Sequence, residues 1–304
     1  MIEMRQLHPQ FVGEVSGVDL ASQLAPETVR ELNDAINRYA VLVFHDQKLD
    51  DDTLLGLGQL FGDVEPPRNH RVVQRLKHAA LADISNLDAG NKLRARDDHR
   101  RLDALANQLW HSDASFREVP GALSMLFAHV VPPIGGETEF ADLRAAYDAL
   151  PAETKARIDS LIAEHSIFHS RGLLGHTDYT EAERAALPTA RHKLVRTHPG
   201  SKRKTLYMGS HASHILGWPM PDGRLLLRDL IHPGVAYMAK RMRRSAGGRP
   251  MPFSASRAAS PCTSAMSSLP ASSSGTFSAL PLVFCGRTSR VGSIPLMVAA
   301  AASP

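Results

Sequence analysis

A histidine and a carboxylate stand two residues apart in Trp110-His111-Ser112-Asp113. In extended chain, residues i and i+2 point to the same side of a strand or strand end. The spacing therefore sets an imidazole beside a carboxylate without help from a loop. A facial-triad iron site needs two His and one carboxylate on one face of the metal, leaving its other positions open. His111 and Asp113 could supply two of those three donors. Alone the motif is weak, because a chain with 15 His contains such pairs by chance. A hydrogen-bonded His/Asp pair near a strand end is its ordinary reading.

Several elements must position this pair. Val130 to Ala141 reads as a strand, a Gly135-Gly136 turn and a second strand carrying Thr138, and a helix follows over Leu143 to Leu150. Upstream, Phe11 to Leu20 reads as a short strand and turn. Pro26 to Tyr39 reads as a helix, with Pro26 in its first turn and Val29, Leu32, Ala35 and Ile36 on one face. Ala40 to Phe44 is a compact apolar run, best placed in a buried strand. Leu54 to Phe61 is a helix with acids at its start and Gly62 at its end. Pro66 to Arg101 is irregular, with a short strand at Ile84 to Leu87. A charged loop of this kind is either a surface excursion or an active-site cover. Downstream, the spacing predicts a helix over Pro151 to Glu164 with Ile158, Leu161 and Ile162 as its buried stripe. It then predicts a strand over Glu164 to His169, a short capped helix from Asp178 to Ala186, and a hairpin of Leu194 to His198 and Thr205 to Met208 with a basic tip. A short helix spans Gly223 to Ile231.

Three stretches now count together: W-H-S-D-x-S-F at 110–116, P-P-x-G-G-E-T-E-F at 132–140, and D-L-R-A-A-Y-D-A-L-P at 142–151. As a set they resemble the taurine dioxygenase-like family of Fe(II)/2-oxoglutarate-dependent oxygenases, and within it the branch that acts on aryloxyalkanoates. The resemblance extends from Leu7 to Asp229, with further matching at Gly17 to Leu20 and Leu194 to Ser201. It implies a fold that is mostly β with flanking helices, on a double-stranded β-helix (jelly-roll) core; pattern alone reaches only mixed α and β. It implies that His111 and Asp113 bind Fe(II), that 2-oxoglutarate is the co-substrate, and that Thr138 holds its distal carboxylate. A sheet Thr kept for its β-branching is the plain alternative for Thr138. The implied reaction couples oxidative decarboxylation, giving succinate and CO2, to hydroxylation of a small carboxylate by O2, with ascorbate assisting. Aryloxyalkanoate ether cleavage is one form of it. No catalytic residue beyond the metal donors is implied.

Asn107, four residues before His111, falls where relatives place a substrate contact. His198, His211 and His214 are implied to lie in or near the active-site region, with ordinary structural roles as the alternative. Arg196 and Arg203 could pair with an anionic substrate, since Arg meets carboxylates bidentately; solvated hairpin charges are their plainer reading.

The resemblance stops after Asp229. From His232 the chain is rich in Ser, Ala, Pro and Arg, and only Leu280 to Phe284 resembles a strand. No His occurs after His232, so the family's second metal His is missing, along with the Arg that would pair with 2-oxoglutarate. The jelly-roll core is therefore expected to be incomplete at its C-terminal end. Residues 1–231 read as the oxygenase domain, and 232–304 as an atypical tail, frame-shifted or disordered. A remnant enzyme without activity is the alternative function.

The charge supports this division. Eight of the 35 basic residues fall after Asp229 and none of the 31 acids does. Residues 1–229 thus hold 27 basic against 31 acidic side chains, a balance of −4. The overall +4 is a property of the tail and is poor evidence for nucleic-acid binding. Two late cysteines, Cys262 and Cys285, form no metal spacing or disulfide framework, which fits a cytoplasmic protein. No apolar run approaches a membrane span. The expected partners are a small carboxylate and O2, with neither nucleic acid nor membrane, and a homo-oligomer is left open.

Overall fold

The apolar run Val41–Phe44 forms a strand buried at all four positions. The computed structural model describes residues 2–64, 75–129, 138–242 and 296–300, the last segment and everything after Ile231 as backbone only. The expected Gly135-Gly136 turn and the strand at Leu280 to Phe284 lie outside them. In chain order, β1 (Glu3–Gln6) and β2 (Gly13–Ser16) precede α1 (Pro26–Tyr39), β3 (Val41–Phe44) and α2 (Asp51–Gln59). Next come α3 (His99–Leu105), a 3-10 turn at Ala106–Gln108, β4 (Leu123–Phe127), β5 (Thr138–Ala141), α4 (Leu143–Asp148) and α5 (Ala152–Ile158). The third part holds β6 (Ile162–His165), α6 (Ile167–Gly172), α7 (Glu181–Ala186), β7 (Ala190–Lys193), β8 (Val195–Thr197), β9 (Lys204–Leu206) and β10 (Ala212–Ile215). Last are α8 (Met220–Met238), β11 (Ala239–Met242) and β12 (Leu296–Ala300).

The architecture is mixed helix and strand in small sheets. A five-stranded sheet runs β1-β2-β3-β12-β4, a three-stranded one β10-β6-β7, and β5/β11 and β8/β9 form two-stranded pairs. One apolar core packs α1 through Leu32, Ala35, Ile36 and Tyr39 against Leu42, Phe44 and Phe127. A second gathers Ile158, Ala163, Leu194, Leu206, Met208 and Ile215 beneath Leu226, Leu227 and Leu230 of α8. Ile158 is fully buried, which contributes roughly 1.5–3 kcal/mol.

Four expectations are corrected. The helix from Pro151 stops at Ile158, and the chain turns into strand at Ile162. Pairing of β6 with both β7 and β10 overrides the helical spacing, and Ile162 is exposed rather than part of a buried stripe. The strand expected through His169 ends at His165, because the Ser166 side chain accepts from His169 N–H and caps α6. Ile84 to Leu87 forms only a single bridge, Leu87 to Leu93. The C-terminal helix starts at Met220 and runs to Met238. Beyond α8, β11 pairs with β5, and β12 lies between β3 and β4. Among the described residues no helix is long and apolar enough to cross a membrane.

Arg144 joins the two cores. It is 4% exposed; its Nη1 donates to the Asn37 carbonyl at the end of α1 at 2.7 Å, and its Nε to Asp142 Oδ1 at 2.9 Å. Removing one member of a buried pair strands the other's charge. Arg144→Ala should therefore lower stability by about 3–5 kcal/mol, read as a fall in the urea midpoint at unchanged slope.

Candidate active site

His111 and Asp113 are neighbours, but not on a strand. Trp110 to Ser112 has no regular structure, and a turn starts at Asp113 with Ala114 at φ +52°. The His111 imidazole is 2% exposed. Its Nδ1–H donates to the Leu109 carbonyl at 2.6 Å, and Nε2 lies 3.4 Å from Asp113 Oδ1. Asp113 Oδ2 accepts from Ser124 Oγ on β4 at 2.9 Å.

Both groups resist charging. Burial pushes His111 down to about 3, only partly opposed by its bond to Leu109. The Asp113 side chain keeps 24% of its surface, yet it is ringed by enough protein for desolvation to raise it to about 7 against the help of Ser124. A neutral imidazole and a carboxylate short of positive charge are what a divalent cation needs. The Nδ1–H bond to a backbone carbonyl is also the outer support that metal-binding imidazoles use. Among the described residues, no third His, Cys, Asp or Glu completes a metal-binding group.

The loop is held from one side by the chain between β9 and β10. Ser210 N–H donates to the Trp110 carbonyl at 2.7 Å, and Ser112 Oγ to the Met208 carbonyl at 2.9 Å. Between them Gly209 has φ +146°, and a Cβ there would stand 2.6 Å from His111 Cα. The same segment delivers His211. Its buried ring meets that of His111 edge-on at 5.4 Å and that of Phe116 at 5.1 Å. Burial, followed by the neighbouring His111 and Arg171, holds its pKa well below the usual value.

The other candidates divide. Asn107 sits on the 3-10 turn before the loop, not on a strand with His111, and its Oδ1 accepts from Arg171 Nη2 at 3.1 Å. Thr138 is 3% exposed on β5, and its buried Oγ1 has no hydrogen-bond partner among the described residues. His198 belongs to the β8–β9 turn, where Nδ1 accepts from Ser201 N–H at 3.1 Å. His214 is on β10 with Nδ1 2.9 Å from Ser213 Oγ. The partners of these last two imidazoles are local to turn and strand.

Arg171 was missed by motif. It reaches Asp103 and Asn107 and donates to Ser170 Oγ at 3.0 Å, so it ties α3 and the Asn107 turn to α6. Its isolation among non-matching residues left no signal. Arg196 is also not the solvated charge expected of a hairpin. It lies 4.0 Å over the Tyr207 ring and bonds His192 Nδ1 at 2.7 Å. Arg203 pairs with Asp148 at 2.6 Å and approaches Asp142 at 3.8 Å.

The Gly209 contact generates a test. Gly209→Ala puts a methyl group into the His111 backbone at a φ that L residues avoid. It should destabilise by roughly 1–3 kcal/mol and shift the His111 ring resonances in the imidazole NMR spectrum. A variant with wild-type stability and unmoved His111 signals would show that the clamp is not tight.

Residues 3–232 match the family model described as taurine catabolism dioxygenase TauD, TfdA family. The chain is 45% identical over 232 residues to the alpha-ketoglutarate-dependent 2,4-dichlorophenoxyacetate dioxygenase of Burkholderia sp. strain RASC, covering 76% of this chain and 78% of that one. It is 46% identical over 227 residues to the enzyme of the same name from Cupriavidus pinatubonensis, covering 74% and 79%. Its structure is similar to the crystal structure of AAD-2 in complex with Mn(II) and N-oxalylglycine, at TM-score 0.77 and 37% identity, covering all of this chain and 89% of that one. The chain belongs to the TauD/TfdA family of alpha-ketoglutarate-dependent dioxygenases.

Proposed function

We propose that the chain is an Fe(II)-dependent dioxygenase that hydroxylates an aryloxyalkanoate, with His111 and Asp113 as metal donors. The observation that carries this is the pair itself: the Nε2 of a buried, neutral imidazole lies 3.4 Å from a partly buried carboxylate whose partner at 2.9 Å, among the described residues, is a hydroxyl. Bound iron, with 2-oxoglutarate and O2, supplies the oxidising power for C–H hydroxylation, leaving succinate and CO2, and ascorbate keeps the metal reduced. The chain's own residues do the rest. Leu109 fixes the His111 tautomer, and Ser124 fixes one Asp113 oxygen so that the other faces His111. Thr138 Oγ1, which has no partner among the described residues, is a donor suited to the distal carboxylate of 2-oxoglutarate. In this reading His211 and Asn107 are substrate-pocket residues, and His198 and His214 are further candidates for that role. Hydroxylating the carbon beside the ether oxygen of an aryloxyalkanoate gives a hemiacetal, which collapses to a phenol and an oxo-acid.

The small sheets are read as parts of a jelly-roll core in residues 1–231, short of its last strands, with 232–304 as an atypical tail. The two isolated cysteines, Cys262 and Cys285, support a cytoplasmic setting. A second reading, a remnant without activity, is favoured by one observation: no third metal donor joins the pair among the described residues, and no His follows His232.

Turnover separates the two. The full chain, given Fe(II), 2-oxoglutarate, ascorbate and a panel of aryloxyalkanoates, should form succinate and phenol in equal amounts. His111→Ala should cut both by more than about 100-fold, the most that disturbing outer supports of a metal site usually costs. A folded chain that forms no succinate with any substrate contradicts the proposal and supports the remnant.

A further inference from the structure

The Ser170 hydroxyl has one hydrogen and, among the described residues, three polar neighbours, and the neighbours decide where that hydrogen goes. Ser170 is fully buried, so water does not enter the count. The Ile167 carbonyl, 2.7 Å from Oγ, can only accept. Arg171 Nη1, 3.0 Å away, can only donate. His211 Nδ1, also at 3.0 Å, can do either. The hydroxyl hydrogen therefore goes to Ile167, and Oγ has only lone pairs left for Arg171 and His211. Nδ1 of His211 must bring its own hydrogen.

We infer that Ser170 is a positioning residue that locks His211 in the Nδ1–H tautomer, so that the neutral ring offers Nε2 as a hydrogen-bond acceptor beside His111. Arg171 holds this arrangement in place. Its Nη2 donates to Asn107 Oδ1 at 3.1 Å and its Nε reaches Asp103 Oδ1 at 3.4 Å, so the guanidinium cannot turn away from Ser170 without breaking both. His111 is set by the same logic, since its Nδ1 faces the Leu109 carbonyl at 2.6 Å. The two rings, 5.4 Å apart, thus present lone pairs rather than N–H groups at Nε2.

One consequence concerns ligand chemistry. A group that docks on His211 Nε2 must bring the hydrogen, as a hydroxyl, an amide N–H or a protonated acid does. A bare carboxylate finds no donor there, so an ionised aryloxyalkanoate would pack against the His211 ring and not hydrogen-bond to its Nε2. This consequence rests on the dioxygenase reading for the identity of the pocket, while the tautomer does not.

The test is an imidazole 1H–15N correlation spectrum of the metal-free full chain, labelled at histidine nitrogens and recorded at mildly alkaline pH. His211 should show a protonated Nδ1 and the downfield shift of a bare Nε2. Ser170→Thr, which keeps the hydroxyl, should preserve that pattern. Ser170→Ala removes the acceptor and should move both nitrogens toward the mixed-tautomer position. An Nε2–H tautomer in the wild type overturns the inference, as does an unchanged His211 pattern in Ser170→Ala. Should Ser170→Ala fail to fold, the wild-type and Ser170→Thr spectra still decide. No turnover is read, so a chain that makes no succinate can pass this test and an active one can fail it.

Discussion

The candidate site depends on one close approach between two loops. The Trp110 to Asp113 segment has no ladder of its own, and its shape is imposed by the Met208 to Ser210 backbone pressed against it. Only a residue without Cβ lets that backbone come within contact of His111 Cα. The clamp does two things at once. It sets His111 and Asp113 side by side, and it carries His211 into edge contact with His111. The second core, with Leu206, Met208 and Ile215 packed beneath α8, is the platform behind it.

Charge is the second constraint. The site gathers acceptors in a dry setting: Asp113 Oδ1 and, by the tautomers their partners require, the Nε2 atoms of His111 and His211. Desolvation raises the Asp113 carboxyl to about 7, so its ionised form is penalised relative to water. A fold that keeps such a group, with Ser124 orienting it, stores a cost that a bound cation would offset. The buried Arg144–Asp142 pair is the contrast: there the chain supplies its own counter-charge and the result is structural.

The sequence was most informative where local and tertiary preferences agree. Pro26 and the Val29, Leu32, Ala35 and Ile36 face mark α1, and the apolar run at Val41–Phe44, best placed in a buried strand, forms one. It misled at Pro151–His169, where an apolar spacing compatible with a helix yields to pairing on both sides of β6. Such pairing is non-local and leaves little trace in a short window. At the site, the closeness of His111 and Asp113 was legible because they stand two residues apart in one motif, whereas His211 was placed near them only by the family resemblance. Ser124, Ser170 and Arg171 were not legible, because a supporting hydroxyl or guanidinium is defined by the partner it reaches across the fold and not by its neighbours in sequence. Arg196 shows the same limit: its hairpin position suggested solvent, while Tyr207 gives it a ring to lie on.

The central claim is that His111 and Asp113 form a metal-binding pair. The most direct measurement is a calorimetric titration of the metal-free full chain with Mn(II), with and without 2-oxoglutarate, beside Asp113→Ala. The account predicts saturable binding in the wild type, tightened by 2-oxoglutarate, and its loss in an Asp113→Ala protein whose circular dichroism is unchanged. Equal binding in that variant, or no binding by the folded wild type, would contradict it.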